Sequence, residues 1–149
     1  MSVTVEVVAD ATDEVVAALN RLLPQLSASA APMDLTGLTR VVRWPGNRLL
    51  VARVDGAIVG ALTLVVFPIA TGVRARIEDV VVDEAARGRG IGTALTQEAV
   101  RLARAAGARS VDLTSRPSRE AANRLYERLG FRRRESTTYR LGGVDPQAT

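Results

Sequence analysis

VVVDEAARGRGIGT, residues 80–93, is the stretch on which the interpretation of the whole chain depends. Its apolar run predicts a strand, and the glycines end that run before a segment with helical periodicity begins. Glycine lets the backbone approach a ligand because no Cβ is in the way, and the first N–H groups of the next helix are free to bind an anion. Arg87 and Arg89 flank the glycines. The order of strand, glycine turn and helix therefore predicts a phosphate-binding site.

Three kinds of phosphate-binding loop can be compared with this spacing. A dinucleotide fingerprint, G-x-G-x-x-G, fits Gly88 and Gly90 but finds Thr93 in place of the third glycine. A P-loop needs a lysine, and every basic residue of this chain is an arginine. The pattern R-x-x-G-x-G is met by Arg87, Gly90 and Gly92. Placed after a strand and at a helix start, it resembles the acyl-CoA loop of the GNAT N-acetyltransferase superfamily.

The resemblance to that superfamily is strongest over residues 76–131. IEDVVVDEAARGRGIG at 77–92, the amphipathic helix after it, VDLT at 111–114 and EAANRLYERLGF at 120–131 follow in the family's order and spacing. The N-terminal half matches only in the order of its strands. The resemblance implies the acyl-CoA N-acyltransferase fold, an α/β fold with a single mixed, mostly antiparallel central sheet flanked by helices, and acetyl-CoA as co-substrate.

The local patterns along the chain predict one mixed α/β sheet. We expect strands at 3–8, 48–54, 57–67, 74–82 and 110–114, and one or two more over 131–141. Helices are expected from Thr12 or Asp13 to about Pro24, and over 35–44, 90–106 and 118 or 119–129, with a loop at 25–32. Asp55-Gly56 suits a tight hairpin turn, and Gly107 and Gly130 end two of the helices.

The composition excludes several classes of protein and of chemistry. The 149 residues fit a single domain with a frayed tail at about 144–149. Without cysteine or histidine, the chain has no thiol nucleophile, no imidazole base and no metal bound by thiolate or imidazole. Proton transfer therefore falls to Asp, Glu, Tyr, a terminus or water.

The charge and hydropathy patterns bear on partners and location. No stretch approaches ~18 uninterrupted apolar residues, and the N-terminus lacks the features of a signal peptide, so we expect a cytoplasmic protein with no membrane partner. A net charge of +4 is modest, and no basic run is interleaved with aromatics, so we expect no nucleic acid partner. Homodimerisation is common in similar proteins, but no feature of this sequence demonstrates it.

For the donor, the resemblance implies two sets of backbone contacts. The strand before the loop splays from its neighbour, and the main chain of Val80, Val81 and Val82 pairs with the pantetheine arm. Core packing of the three valine side chains is compatible with this, because side chains and main chain do different work. The diphosphate would lie on the N–H groups of Arg87, Gly88, Arg89, Gly90, Ile91, Gly92 and Thr93.

Tyr126 is the candidate general acid. It precedes Gly130-Phe131 by four residues, where similar enzymes place a tyrosine near the thioester sulfur. A phenol with a pKa of about 10 can protonate a thiolate whose thiol has a pKa of about 8.5. The alternative is a helix tyrosine that only packs on the sheet.

Asn123 and Arg119 are candidate cofactor contacts on the same helix. Asn123 lies three residues before Tyr126 and shares its helix face. Many relatives carry asparagine seven residues before the tyrosine, where this chain has Arg119, so either residue could contact the cofactor. A solvated helix surface is the alternative for both.

The general base is expected among the carboxylates before the loop. Alternation along a strand would place Glu78 and Asp79 on opposite sheet faces. Some sugar-amine acetyltransferases of the family carry a similar I-E-D, which favours Glu78 for contacting or deprotonating the amine. The alternatives are an ion pair with Arg74 or Arg76, and proton loss through water.

Together these features predict an N-acetyltransferase that moves an acetyl group directly from acetyl-CoA to a primary amine of a small molecule. No covalent enzyme intermediate is expected, since cysteine is absent and no serine has a histidine base. A peptide or protein amine is the second choice of acceptor. A non-catalytic acyl-CoA-binding sensor is the alternative from another class.

Overall fold

Five strands form one sheet, in the order in which they occur in the chain. The computed structural model describes residues 2–144, so most of the predicted frayed tail lies outside the described residues. Neighbouring strands are antiparallel except for β4 and β5, which are parallel. The predicted mixed, mostly antiparallel sheet is confirmed. The elements are β1 (Val3–Val7), α1 (Asp13–Leu26), α2 (Leu35–Arg43), β2 (Asn47–Val54), β3 (Ala57–Ile69), β4 (Gly72–Val82), a 3-10 turn (Glu84–Ala86), α3 (Ile91–Ala105), β5 (Val111–Asp112) and α4 (Glu120–Arg128).

Helices cover both faces of the sheet. On one face α3 packs its buried side chains, Leu95 among them, on Leu50 and Leu62. On the other face α1 and α2 bury Leu22 and Leu38. Each fully buried leucine contributes roughly 1.5–3 kcal/mol. Because both faces are covered, the middle of β2 reads as an unbroken apolar run rather than an alternating one.

Most local signals in the sequence produce the predicted turns and caps. Thr12 Oγ1 accepts the Val15 N–H and begins α1, as a helix N-cap does. The hairpin turn between β2 and β3 has Asp55 at φ +51° and Gly56 at φ +83°, which are the left-handed values that a two-residue primed turn requires. Within residues 2–144, no helix has the length and apolar character needed to cross a membrane.

α1 ends at Leu26, two residues after the predicted end near Pro24. The helix continues through Pro24 to Leu26, and the Ser27 N–H closes its last turn on the Leu23 carbonyl. Proline weakens a helix because it lacks an N–H and its ring crowds the preceding turn. Here Leu23 and Leu26 pack against the core under α1 and hold that turn in place.

The strand predicted over residues 131–141 is also not present. Phe131 packs on the α3 side of the core, but Arg132 to Leu141 are exposed and form no ladder. Their side chains give no alternating apolar face that could cover the sheet, and β5, the nearest edge, is only two residues long. As a strand, residues 132–141 would bury too little surface to offset the conformational entropy lost on ordering.

Gly46 directly precedes β2 and lies beside Val66 of β3, and this close contact allows a prediction about stability. The Val66 N–H donates to the Gly46 carbonyl at 2.8 Å, and a Cβ on Gly46 would lie 2.5 Å from the Val66 carbonyl oxygen. Gly46→Ala is therefore expected to lower the free energy of unfolding by roughly 1–3 kcal/mol, measured by denaturant titration. Gly142→Ala is the control, because a Cβ there meets no atom within 4 Å. Equal stability of the two variants would contradict this reasoning.

Candidate active site

A notch opens between β4 and β5. The two strands pair only at Ala75 with Val111 and at Arg76 with Asp112. On its other side, β4 stays paired with β3 up to Val82. The stretch 77–82 therefore has one edge with no strand beside it in the described part of the chain. This is the splay expected at Val80, Val81 and Val82, and it leaves main-chain groups available for an extended ligand.

The side chains of Val80, Val81 and Val82 pack in the core, which is compatible with main-chain contacts to a ligand. Val81 is buried in the core beneath α1 and α2. Val80 and Val82 pack on the opposite side, against the α3 core. The side chains thus anchor the strand while its main chain borders the notch.

The glycine loop leads from the notch to the start of α3. Gly88 has φ +81° and Gly90 has φ +76°, conformations that glycine adopts with the least strain. The N-cap of α3 is Gly90, which has no side chain to accept a hydrogen bond from the first turn, and the positive end of the helix dipole lies at this turn. Arg87 and Arg89 are exposed in the same loop. These features suit a diphosphate.

Residues of α1 hold the start of this loop. The Gln25 Oε1 atom accepts the Glu84 N–H at 2.9 Å. Arg21 Nε lies 3.7 Å from Asp83 Oδ2, and another of its nitrogens donates to the Ile58 carbonyl at 2.6 Å. No local sequence pattern predicts these contacts, because Gln25 and Glu84 are 59 positions apart. Sequence reasoning missed Arg21 and Gln25 for that reason.

Gly92 marks the point where α3, α4 and β4 meet. A Cβ built on it lies 3.3 Å from Leu125 Cδ1 and 3.8 Å from Val82 Cγ2. Leu125 precedes Tyr126 in α4, so the helix that carries the tyrosine lies against both the glycine loop and the end of β4. The structure thereby brings α4 next to the strand and glycine loop, from which it is separated in the sequence.

Tyr126 is buried, and its ring makes an edge contact with Phe131 at 5.9 Å between centroids. Burial raises the pKa of the Tyr126 phenol above its usual range, and the positive charge of Arg119 lowers it by a smaller amount. The phenol therefore stays protonated at neutral pH, as a general acid must. Within residues 2–144, no protein group hydrogen-bonds to its hydroxyl. Packing and acid chemistry are both compatible with this environment.

The two candidate cofactor contacts of α4 differ in their environment. Asn123 donates its Nδ2 hydrogen to the Arg116 carbonyl at 3.0 Å, so its amide nitrogen already holds the segment before α4. Arg119 is exposed at the start of that helix, and its charge reaches Tyr126. Neither arrangement tests a contact with a cofactor.

Ser115 adds a polar group that sequence reasoning did not single out. Its hydroxyl oxygen, in the segment from β5 to α4, is buried and has no hydrogen-bond partner in the described residues. A buried hydroxyl without a partner is costly. Its place just after β5, beside the notch, fits a site that a polar ligand completes.

Glu78 and Asp79 lie on the same side of the sheet, so the prediction of opposite faces is wrong. Glu78 pairs with Thr63 across the strands, and the register then shifts so that Leu62 faces two residues of β4. This bulge places Asp79 at φ +52°. An extra residue in a strand reverses the alternation after it, which is why Ile77 and Val80, three positions apart, both pack on the α3 core.

The two carboxylates have different surroundings. Glu78 Oε1 accepts from Arg76 Nε at 3.0 Å, one of the alternatives that the sequence left open. Asp79 forms no hydrogen bond or salt bridge within residues 2–144. Loss of hydration raises the pKa of the Asp79 carboxyl, and the negative charge of Glu78 raises it further.

Asp79 borders a cavity of about 60 Å³ between the sheet and the two N-terminal helices. By the measure in which one water needs about 10–15 Å³, this space holds roughly four or five water-sized groups. Asp79 supplies its only charged side chain among the described residues. The cavity is lined by Leu19, Leu23, Met33, Val41, Leu49, Ala61, Thr63 and Asp79.

A metal centre is not apparent in this arrangement. Among residues 2–144, no group of three or more His, Cys, Asp or Glu side chains is placed to hold an ion. The site is therefore described by its carboxylates, its tyrosine and its main-chain groups.

The sequence matches the Acetyltransferase (GNAT) family over residues 16–131, which is more than half of the chain. The chain belongs to the GNAT family. The match includes β4, the glycine loop and α4, the elements that form the notch and carry Tyr126. It also includes most of α1, which holds the loop through Arg21 and Gln25.

Individual relatives agree with this family membership. A glucosamine 6-phosphate N-acetyltransferase of Trypanosoma brucei brucei is 43% identical over 83 residues, 54% of each chain. An uncharacterized N-acetyltransferase of Methanocaldococcus jannaschii is 43% identical over 61 residues, 41% of this chain and 27% of that protein. The chain thus spans about half or less of these curated relatives. A crystal structure of a Trypanosoma brucei acetyltransferase superposes with a TM-score of 0.76 at 29% identity, covering 93% of this chain and 98% of that one.

Proposed function

We propose that this GNAT protein is an enzyme that transfers an acetyl group from acetyl-CoA directly to a primary amine of a small molecule. The observation that carries the proposal is the notch between β4 and β5, which runs into a glycine loop at an uncapped helix start. An extended amide-containing arm followed by a diphosphate has the shape and the charge that these two parts accept.

The geometry of the backbone supports a position for the donor. The pantetheine amides pair with the free edge of β4 at Val80, Val81 and Val82. The diphosphate accepts N–H bonds from the loop and the start of α3, residues 87–93. In this arrangement Asn123, Arg119 and Ser115, whose hydroxyl has no hydrogen-bond partner among residues 2–144, would contact the arm from the side opposite β4.

The chemical step needs an unprotonated amine and an acid. The amine first loses a proton, and its lone pair then attacks the thioester carbon. As the tetrahedral intermediate collapses, the C–S bond breaks, the new C–N bond becomes an amide, and the nitrogen loses a second proton. The Tyr126 phenol protonates the departing thiolate. Ammonium plus acetyl-CoA thus gives acetamide, CoA thiol and one released proton.

Proton removal from the amine falls to the carboxylates of the β4 bulge or to water. Glu78 remains a candidate base, although its carboxylate already accepts a hydrogen bond from Arg76 Nε at 3.0 Å. Most of the catalysis comes from holding amine and thioester together. An acyl-enzyme is not part of the reaction, because the chain has no cysteine and no histidine.

The proposal is tested by measuring release of CoA thiol from acetyl-CoA in the presence of a panel of primary amines. Release is expected to depend on the amine, and mass spectrometry of the small molecules should show a gain of one acetyl group. Intact-protein mass spectrometry with acetyl-CoA alone should show no acetylated protein. Binding of acetyl-CoA with no thiol release from any amine or peptide would contradict the proposal and indicate a sensor.

A further inference from the structure

We infer that the acceptor is a primary amine on a short, uncharged, apolar carbon chain, with its ammonium group at Asp79 and its chain in the cavity beneath α1 and α2. This inference rests on the proposed function and names the substrate class for the same site. It follows from what lines the cavity: one carboxylate, one hydroxyl on Thr63 and otherwise apolar side chains.

Asp79, rather than Glu78, has a charge available for the amine. The Glu78 carboxylate is already compensated by Arg76 at 3.0 Å, whereas Asp79 has no such partner in residues 2–144. Asp79 also directly precedes Val80, on the strand that borders the notch. An ammonium at Asp79 is therefore next to the edge along which the thioester would lie.

The lining of the cavity is less suited to other kinds of acceptor. A phosphorylated amino sugar would need a basic side chain for its phosphate, and no arginine lines the cavity. A polyamine would need several carboxylates, but Glu78 is already paired. A cavity of about 60 Å³ with room for roughly four or five water-sized groups suits a chain of a few carbons.

The backbone conformation of Asp79 allows a substitution that removes the charge and preserves the bulge. Its φ is +52°, a conformation that asparagine tolerates well. Asp79→Asn therefore removes the charge without disturbing the bulge. Asp55→Asn is the matched control, since Asp55 has φ +51° in the exposed β2–β3 turn, away from the cavity.

The first experiment compares kcat/KM for n-butylamine, spermidine and glucosamine 6-phosphate with the full chain. We expect n-butylamine to exceed the sugar phosphate at least tenfold. Preference for glucosamine 6-phosphate or spermidine would overturn the inference and leave the proposed function intact. If no amine supports thiol release, the proposed function fails, and binding of n-butylammonium by calorimetry then decides the inference, with no binding overturning it.

The second experiment compares Asp79→Asn with Asp55→Asn. We expect Asp79→Asn to raise the KM for n-butylamine about five-fold, as for a partly exposed ion pair, while the KM for acetyl-CoA is unchanged. Asp55→Asn should match the wild type in both. Equal KM values for n-butylamine in the two variants would overturn the role of Asp79.

The change in Tm with pH distinguishes an Asp79 that binds the amine from one that has only a structural role. Because the pKa of Asp79 is raised, the folded protein holds its proton more tightly than the unfolded chain, so the ionised carboxylate costs stability at neutral pH. Asp79→Asn should then raise Tm at neutral pH, and the gain should shrink as pH falls through the raised pKa. The charged neighbours are Glu78 and its partner Arg76, and the cavity residues of α1, α2, β2 and β3 are uncharged. A lower Tm would indicate a structural role instead.

A third variant tests the cavity itself. Val41→Ala removes a side chain from the cavity wall in α2, a helix in which alanine is well tolerated. We expect the preferred n-alkylamine to become longer, from butylamine toward hexylamine, by at least a threefold change in the ratio of their kcat/KM values. An unchanged ratio would place the carbon chain outside the cavity.

Discussion

Replacing Tyr126 with phenylalanine should lower kcat roughly tenfold or more and leave the KM for acetyl-CoA nearly unchanged. A tenfold loss is about 1.4 kcal/mol of transition-state stabilisation, a modest share of what a positioned acid contributes. The ring itself remains, with its edge contact to Phe131 at 5.9 Å. Only the hydroxyl is lost, and it has no hydrogen-bond partner in the described residues. The fold should therefore keep its Tm.

Steady-state thiol release at saturating amine measures this effect, and the chain supplies its own control. Tyr139 is the other tyrosine, and its side chain is 91% exposed. Tyr139→Phe should leave kcat unchanged. If Tyr126→Phe and Tyr139→Phe have the same kcat as the wild type, water or another group protonates the thiolate, and Tyr126 only packs on the sheet.

The parts of this fold that were predictable are the ones set by neighbouring residues. Asp55-Gly56 determines its hairpin because a primed turn needs two left-handed residues. The glycine loop could be located because its strand, turn and helix are contiguous. The same locality accounts for the predicted α2, whose cap at Asp34 and end at Trp44 lie within the segment itself.

The parts that were missed depend on pairings between distant segments. The bulge at Asp79 exists because Leu62 on β3 faces two residues of β4, and nothing in the sequence IEDVVV shows it. The strict alternation expected of Glu78 and Asp79 failed for this reason. The continuation of α1 past Pro24 similarly depends on core contacts of Leu23 and Leu26, and the cavity needs residues from six separate segments.

The proposed donor site could thus be located from the sequence, and the proposed acceptor cavity could not. A diphosphate is recognised largely by N–H groups and a helix end, which glycine spacing reveals. An amine on a carbon chain is recognised by a carboxylate and apolar walls, and those residue types occur throughout any soluble protein. Only their convergence around Asp79 distinguishes them.

Replacing Gly90 with alanine should raise the KM for acetyl-CoA about tenfold or more, with kcat at saturation little changed. Gly90 has φ +76°, and a Cβ there meets no atom of residues 2–144 within 4 Å. The methyl group therefore does not clash within the protein and instead points into open space beside the loop. A diphosphate lying on the N–H groups of residues 87–93 would occupy that space, so the methyl group penalises the donor. A tenfold change corresponds to about 1.4 kcal/mol of binding free energy.

Gly56→Ala is the control that separates a loss of acetyl-CoA binding from the cost of backbone strain. Gly56 has φ +83°, and a Cβ there also meets nothing within 4 Å, but it lies in the β2–β3 turn. Both variants place alanine in a left-handed conformation at a cost of roughly 1 kcal/mol, so both should lose a similar amount of Tm. Only Gly90→Ala should weaken acetyl-CoA binding, measured by calorimetry and by KM. If the two variants bind acetyl-CoA equally well, the diphosphate does not lie against Gly90, and the donor must enter the notch in another orientation.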